Sequence, residues 1–317
     1  MRNKQIILLV LAVLFLSPIF AQKSTTTEIV FDDGFNFYVA NDLGRNGSYF
    51  QKDVAEVMGN LADSLDIEFV VAAGDVHHYG GVQSINDPIW MTNYELIYSH
   101  GDLQVSWYPI LGNHEYRGNT QAVLDYSNVS RRWEMPARYY VKHVVPESDD
   151  DYSSVDIFFL DTSPLINKYH EESDKYPDIQ KQDTTAQLRW LEKELAQSKA
   201  EFKIVVGHHP IYVSEKKRVD EKDLIDKLDP ILRRNNVDMY IAGHSHTFQH
   251  LTKPNTDIQY IVNGSASLGR KPIKGPDTQF CSSDEGFSVI SVGKNVVRMT
   301  FINYKGEPIY YFDVKNK

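Results

Sequence analysis

Four apolar runs in this chain break off in the same way, at a glycine followed by side chains that ligate metals. Phe69 to Ala73 ends in Gly74-Asp75-Val76-His77-His78, and Val105 to Leu111 ends in Gly112-Asn113-His114-Glu115. Phe202 to Val206 ends in Gly207-His208-His209, and Val237 to Ala242 in Gly243-His244-Ser245-His246. A fifth run, Phe35 to Ala40, ends in Asn41-Asp42-Leu43-Gly44. Short apolar runs bounded by turn residues read as buried strands, and open α/β sheets bind ligands beyond the carboxyl ends of their strands. Each ending alone has an ordinary explanation. Gly-Asp is a common turn pair, Asp42 equally suits the cap of a following helix, and single histidines are common in cores and on surfaces. Their recurrence at successive strand ends is what points to a shared site.

The segments between these runs set the fold class. After Phe35 to Ala40, the residues Phe50, Val54, Val57, Met58, Leu61 and Leu65 recur at helical spacing, so a helix is expected to start near Ser48 and lead into the strand at Ile67 to Ala73. That β-α-β unit implies parallel strands and a right-handed crossover. Pro88 to Ser99 reads as a helix, Ser154 to Asp161 as a further strand, and Asp161 beyond it as a turn or cap residue. Leu165 to Gln182 is charged and reads as a surface loop. A helix capped by Asp183 follows, with Leu188, Leu191 and Leu195 inward, and another helix runs from Glu221 to about Arg234. From Ile258 onward, short strands at 258–262, 287–292, 296–302 and 308–314 follow without helices, which predicts an antiparallel second sheet packed on the first.

Composition restricts the chemistry. With 317 residues, 42% hydrophobic and 24% charged, the chain has the balance of a folded globular protein. A net charge of -10 offers no basic stripe for nucleic acid, so no nucleic-acid partner is expected, and any anionic substrate must be attracted locally. Cys281 is the single cysteine, which excludes an intrachain disulfide and thiolate metal sites. Ligands must come from His, Asp, Glu, Asn or Tyr. Oligomeric state leaves no mark on the sequence.

Arg2 and Lys4 precede the apolar run Ile6 to Leu16, and Ala21 offers a small residue at a cleavage point before Gln22. Residues 1–21 therefore read as a secretory signal peptide. The rival, an uncleaved anchor, is short of the roughly 20 apolar residues that a spanning helix needs. Export to a periplasm or the exterior follows, with residues 22–317 as one domain and no stable membrane anchor after cleavage.

Taken in order, Asp42-x-Gly44, Gly74-Asp75-x-x-His78, Gly112-Asn113-His114-Glu115, Gly207-His208 and Gly243-His244-x-His246 resemble the motif series of the calcineurin-like metallophosphoesterases. Within these, the chain is similar to the small purple acid phosphatases of the tartrate-resistant, or uteroferrin, type. The resemblance covers nearly all of the mature chain, including residues 81–87 and 126–133. It implies a four-layer α/β/β/α sandwich of two mixed sheets flanked by helices. It also implies two metal ions, iron paired with iron, zinc or manganese, and hydrolysis of a small phosphate ester by metal-activated hydroxide. Phosphodiesterase or nucleotidase activity on the same centre is the alternative, and a non-catalytic phosphate- or metal-binding protein is a third reading.

Carried over residue by residue, the first metal would take Asp42, Asp75 and His246, and the second Asp75, Asn113, His208 and His244, with Asp75 bridging. The family places a tyrosine three residues after the bridging Asp, whose phenolate-to-iron charge transfer gives the purple colour. This chain has His78 there and Tyr79 one residue late. An imidazole serves many divalent ions, so His78 is expected to complete the first site with a changed metal preference. If Tyr79 reached the metal instead, a tyrosinate would be retained. His114 is the candidate proton donor to the leaving group, with Glu115 orienting it or the metal-bound water, and His209 assisting. His77 is expected behind the ligands or facing solvent. Lys216-Lys217-Arg218 stands where the small family members carry a further His, and these cations are candidates to hold substrate phosphate.

Overall fold

Residues 29–216 and 218–316 are described by a computed structural model. The segment expected to be a signal peptide lies outside them. Among the described residues, no helix is long and apolar enough to cross a membrane.

The first β-α-β unit forms as its periodicity predicts. Strand β1 (Phe35–Ala40) leads through helix α1 (Gln51–Ala62) to β2 (Ile67–Ala72), and β3 (Ser106–Pro109) adds a third parallel strand. Helix α1 buries Val54, Ala55 and Met58, and the Tyr38 hydroxyl donates to the Met58 carbonyl at 3.1 Å, tying helix to sheet. The other edge of β1 is closed by β11 (Gly286–Gly293), which pairs antiparallel with it, and β12 (Val296–Asn303) and β13 (Pro308–Lys315) continue the meander. The order is β13-β12-β11-β1-β2-β3.

This corrects the expected partition of the sheets. The C-terminal strands do not make a sheet of their own; β11 to β13 complete the first one. Period-2 alternation says which face a strand buries but not which strand it pairs with. Here the open edge of β1 decides.

The second sheet has seven strands in the order β10-β8-β9-β7-β6-β5-β4. Its centre is parallel: β5 (Val155–Phe159), β6 (Phe202–Val206), β7 (Met239–Ala242) and β9 (Gln259–Asn263). Antiparallel strands flank it, β4 (Tyr140–Val144) on one side, and β8 (Phe248–Leu251) then β10 (Thr278–Ser282) on the other. Neither β8 nor β10 was expected from the sequence. The two sheets pack face to face. Phe248 stacks on Phe301 with ring centres 4.8 Å apart, and the Asn263 amide on β9 donates to the Val39 carbonyl on β1 at 2.8 Å. Two mixed sheets with helices are thus the architecture, as expected.

Three helical expectations change. Pro88 to Ser99 is helical only over residues 89–95, most of it a π-helical turn, Met91–Glu95, and its Tyr94 and Tyr98 pack on Trp107 with ring centres 5.1 and 5.0 Å apart. Residues 165–182 are not a plain surface loop. They contain α3 (Asn167–Glu171; α2 is Thr120–Asp125) and bury Tyr169, Tyr176 and Ile179. The helix capped by Asp183 is α4 (Thr184–Gln197), where the Asp183 side chain accepts from the Ala186 N–H. The next helix divides into α5 (Lys222–Lys227) and α6 (Asp229–Arg234), because Pro230 has no N–H to continue the ladder.

Candidate metal centre

All five strand-end segments converge on one buried point between the two sheets. Asp75 lies at its middle, with one carboxylate oxygen committed and one free to face the site. Its Oδ1 accepts the His114 backbone N–H at 2.9 Å. Its Oδ2 stands 3.2 Å from His208 Nε2, 3.4 Å from His78 Nε2 and 3.9 Å from His114 Nε2. On the first-sheet side, Asp42 Oδ1 lies 3.2 Å from His246 Nε2 and 3.9 Å from His78 Nε2, while Asp42 Oδ2 accepts the His244 backbone N–H at 2.7 Å. Three clusters share this point: Asp42, His78 and His246; Asp42, Asp75 and His208; and Asp75, His78 and His114. His244 packs beside His208, ring centres 5.2 Å apart, and Asn113 is buried at the end of the third run.

The local backbone explains the glycines. Asp42, Asp75, His244 and His246 all have left-handed φ, between 50° and 67°, a region that costs non-glycine residues on the order of 1–3 kcal/mol and clusters at functional sites. Such turns bring backbones close together. A Cβ on Gly112 would lie 2.2 Å from Asp75 Oδ1, and one on Gly74, itself at φ 92°, would lie 2.5 Å from His208 Nδ1. Only glycine leaves room there.

Hydrogen bonds fix how the imidazoles point. His78 Nδ1 pairs with the Gly44 carbonyl at 2.8 Å, and His208 Nδ1 with the Ala73 carbonyl at 3.1 Å. A ring nitrogen facing a carbonyl must carry a proton, so in each ring Nε2 is the nitrogen turned to the carboxylates and the one that can give a lone pair to a cation in place of a proton. Among the described residues, Asp42 Oδ1, His78 Nε2, Asn113 Oδ1 and His208 Nε2 are buried without a hydrogen-bond partner. Four orphaned donor atoms around one point are costly unless a cation joins them. Ligands about 2.0–2.2 Å from one ion stand roughly 3–3.5 Å from each other, which matches the His208–Asp75, His78–Asp75 and His246–Asp42 pairs at 3.2, 3.4 and 3.2 Å, while His78 and Asp42 stand wider at 3.9 Å. The electrostatics agree. Burial opposes charge on both Asp75 and His208, yet their attraction prevails: Asp75 is held well below the usual carboxylate range, and His208 is raised to about 9. The residues fit metal ions.

Tyr79 does not enter this cluster. Its ring is 56% exposed and lies against the Arg45 guanidinium at 5.3 Å, while its carbonyl accepts from His114 Nδ1 at 2.7 Å. His114 therefore presents Nε2 toward the site. Burial, opposed by Asp75, lowers its pKa to about 4.

Two proposed catalytic residues take a different part. Glu115 does not orient His114. It is fully buried, and its Oε2 accepts the backbone N–H groups of Asp75 at 3.0 Å and Gly112 at 2.7 Å, while Oε1 accepts that of His77 at 3.0 Å. It fastens two strand-end loops together. His209 has both ring nitrogens engaged, Nδ1 with the Thr162 hydroxyl at 2.9 Å and Nε2 with the Tyr169 hydroxyl at 2.7 Å. No nitrogen remains to pass a proton to a leaving group, although His209 also stands close to His208 and His244. His77 is buried, its ring edge-on to Trp90 at 4.3 Å.

Arg45 escaped the sequence reading. It is nearly buried, and its Nη2 donates toward His246, 3.2 Å from Nδ1 and 3.4 Å from Nε2. Its place three residues after Asp42 was the available signal. Arg218 and Lys216 border the cavity over Asn113 and His244, and Lys217 lies outside the described residues.

Comparison with known proteins agrees with this geometry. The sequence model of the calcineurin-like phosphoesterases matches residues 35–248. Purple acid phosphatase 3 of Arabidopsis thaliana is 32% identical over 93% of this chain and 83% of its own length. Tartrate-resistant acid phosphatase type 5 of Oryctolagus cuniculus is 32% identical over 68% of this chain and 66% of its own. Among solved structures, GAP50, the anchor in the inner membrane complex of Plasmodium, superposes with a TM-score of 0.76 at 27% identity, covering 90% of this chain and 89% of that one.

Proposed function

The chain belongs to the calcineurin-like phosphoesterase family and is a homologue of the metal-dependent purple acid phosphatases, and from there we propose that it is an exported phosphomonoesterase working on small phosphate esters. The observation that carries this is the set of orphaned donors around Asp75 Oδ2, the one atom that faces both halves of the site. Asp42, Asp75, His78 and His246 would hold one ion. Asp75, Asn113, His208 and His244 would hold the other. We favour a divalent pair, or iron with a divalent partner, because His78 supplies a neutral ligand at a position where the family resemblance implies an anionic one.

When bound, two such ions polarise a phosphate oxygen and ready a water for attack. The residues of the chain supply position and protons. Asp75 keeps the two halves in register, since its Oδ1 is tied to the His114 backbone while Oδ2 faces the site. His114, anchored through Nδ1 to the Tyr79 carbonyl, points Nε2 toward Asp75 Oδ2, 3.9 Å away. There its imidazolium form, which the negative charge of a bound phosphate favours, would donate from Nε2 to the phosphoryl group or to the departing alkoxide oxygen. Tyr169 and Thr162 keep His209 and the His208 loop in place: the Thr162 hydroxyl accepts from both backbone N–H groups, at 3.2 and 3.1 Å.

Phosphodiesterase or nucleotidase activity would use the same groups. A non-catalytic role is the second reading, favoured by the likeness to a Plasmodium protein described as an anchor. Purified chain loaded in turn with iron, zinc and manganese, assayed for metal content and for phosphate release from mono- and diesters across pH, separates these readings. Two metals with turnover of monoesters supports the proposal. Two metals and no turnover of any ester supports the anchor.

A further inference from the structure

A phosphate-binding metal centre does not choose what the phosphate is attached to, so selectivity must come from the walls around it. Those walls are basic against the trend of the chain. The protein carries a net charge of -10, yet the cavity of about 680 Å³ that opens over Asn113 and His244 is lined by seven Lys or Arg side chains and two Glu. Four separate segments supply the cations. Arg117 comes from the turn after His114, Lys168 and Lys175 from α3 and the turn beyond it, Lys216 and Arg218 from the loop after β6, and Arg270 with Lys271 from the loop after β9. Convergence from four segments is not the signature of one charged, solvated stretch.

Two of the seven are neutralised in place, Lys175 by Glu172 at 3.1 Å and Arg218 by Glu215 at 3.8 Å. The other five have no ion-pair partner among the described residues. Like charges gathered in a concave cleft repel one another and focus a positive field, which an arriving polyanion relieves. A single phosphate seated on the metal centre would not reach them all. We infer, resting on the proposed esterase activity, that the substrate is a small molecule bearing one or more phosphate groups besides the one removed. The metal centre takes the scissile group, and the rim holds the others. A volume of about 680 Å³ falls within the roughly 300–1,000 Å³ of small-molecule sites, which favours a compact polyphosphate over a protein chain.

The test compares p-nitrophenyl phosphate with fructose 1,6-bisphosphate, ATP, inositol hexakisphosphate and phosphorylated casein. It uses the metal-loaded wild type and a Lys216→Ala, Arg270→Ala, Lys271→Ala triple variant, all three being exposed positions. Expected is a wild-type kcat/KM at least about tenfold higher for one or more small polyphosphates, falling steeply with added salt, with the preference lost in the triple variant through KM. Each phosphate held by a charge-assisted contact contributes about tenfold. Which polyphosphate leads distinguishes nucleotide, sugar and inositol sources. Turnover of p-nitrophenyl phosphate with no preference overturns the inference and leaves the esterase reading standing, and so does a preference for casein. Tripolyphosphate binding, measured calorimetrically, covers the other failure. If no ester turns over but tripolyphosphate binds wild type about tenfold or more tighter than the variant, the polyanion site stands and the esterase reading falls.

Discussion

Glu115 Oε2 accepts the backbone N–H of Asp75 at 3.0 Å, so the side chain of one metal-site loop holds the main chain of another. The same oxygen takes the Gly112 N–H, and Oε1 takes that of His77. A carboxylate suits this position because it accepts on both sides, whereas an amide offers one acceptor and two donors. Glu115→Gln should therefore leave a backbone N–H unpaired and cost about 1–3 kcal/mol of stability. It should also weaken metal retention, because Asp75 would lose its support. Urea denaturation and metal per chain after dialysis check this; wild-type values for both would return Glu115 to a role at the substrate.

Asp75→Asn should abolish phosphate release while the protein stays folded. Asp75 is the shared member of both halves of the site, and its Oδ1 bond to the His114 N–H survives in an amide. The lost charge removes the anion that would bind both cations. Metal analysis should show depletion with an unchanged circular dichroism spectrum. Full activity with two metals bound would take Asp75 out of the centre.

His114→Ala should retain both metals and lose rate, by about 10²–10⁴-fold if the imidazole passes a proton to the leaving group. Aryl phosphates, whose leaving groups need less protonation, should suffer less than alkyl phosphates. Equal losses on both would make His114 a phosphate-binding residue instead.

His78 Nε2 faces Asp42 and Asp75, and Tyr79 is turned to solvent. An imidazole provides no phenolate-to-iron charge transfer, so the iron-loaded wild type should lack a purple band. His78→Tyr should introduce one and shift the activity optimum to lower pH, as an anionic ligand favours a trivalent ion. Visible spectra decide. A purple wild type that bleaches in Tyr79→Phe would reinstate the tyrosinate.

Asp161 offers a pH test away from the metals. Burial raises its carboxyl to about 7, against the pull of Arg138 and the Tyr116 hydroxyl, which donates to it. The unfolded value is about 3.9, so between these limits the folded protein binds more protons than the unfolded chain. Stability contributed by this group is therefore full below pH ~4 and is lost as pH rises through about 7. Asp161→Asn should remove that slope, so its gain in urea midpoint over wild type should grow from pH 4 to pH 7. Parallel curves would mean that Asp161 ionises as an ordinary carboxylate.

Much of the site was legible in the chain because each ligand follows directly on a strand. The sharp Gly-bearing turns after β2 and β7 are local features, and they show as Gly74-Asp75 and Gly243-His244. The β-α-β unit from β1 to β2 and the Asp183 cap are equally local, set by periodicity and by one side chain reaching its own helix N-terminus. A role that depends on a partner far along the chain was not legible. Glu115 reads as a neighbour of His114 until the fold brings the Asp75 and His77 backbones to its two oxygens. His209 looks available until Tyr169, 40 residues earlier, takes its Nε2.

Residue type and spacing alone determined which donors stand at strand ends, that they are nitrogen and oxygen rather than sulfur, and that the ends belong to parallel strands. Tertiary structure alone decided that β11 closes the edge of β1 rather than founding a second sheet, since strand pairing is a choice among partners that alternation does not encode. It also decided that Arg117, Lys168, Lys216, Arg270 and Lys271, scattered through an acidic sequence, meet around one cavity. Net charge sums over the chain, but a substrate senses only the charges folded to within a few ångströms of it, because salt screens the rest over roughly 8–10 Å.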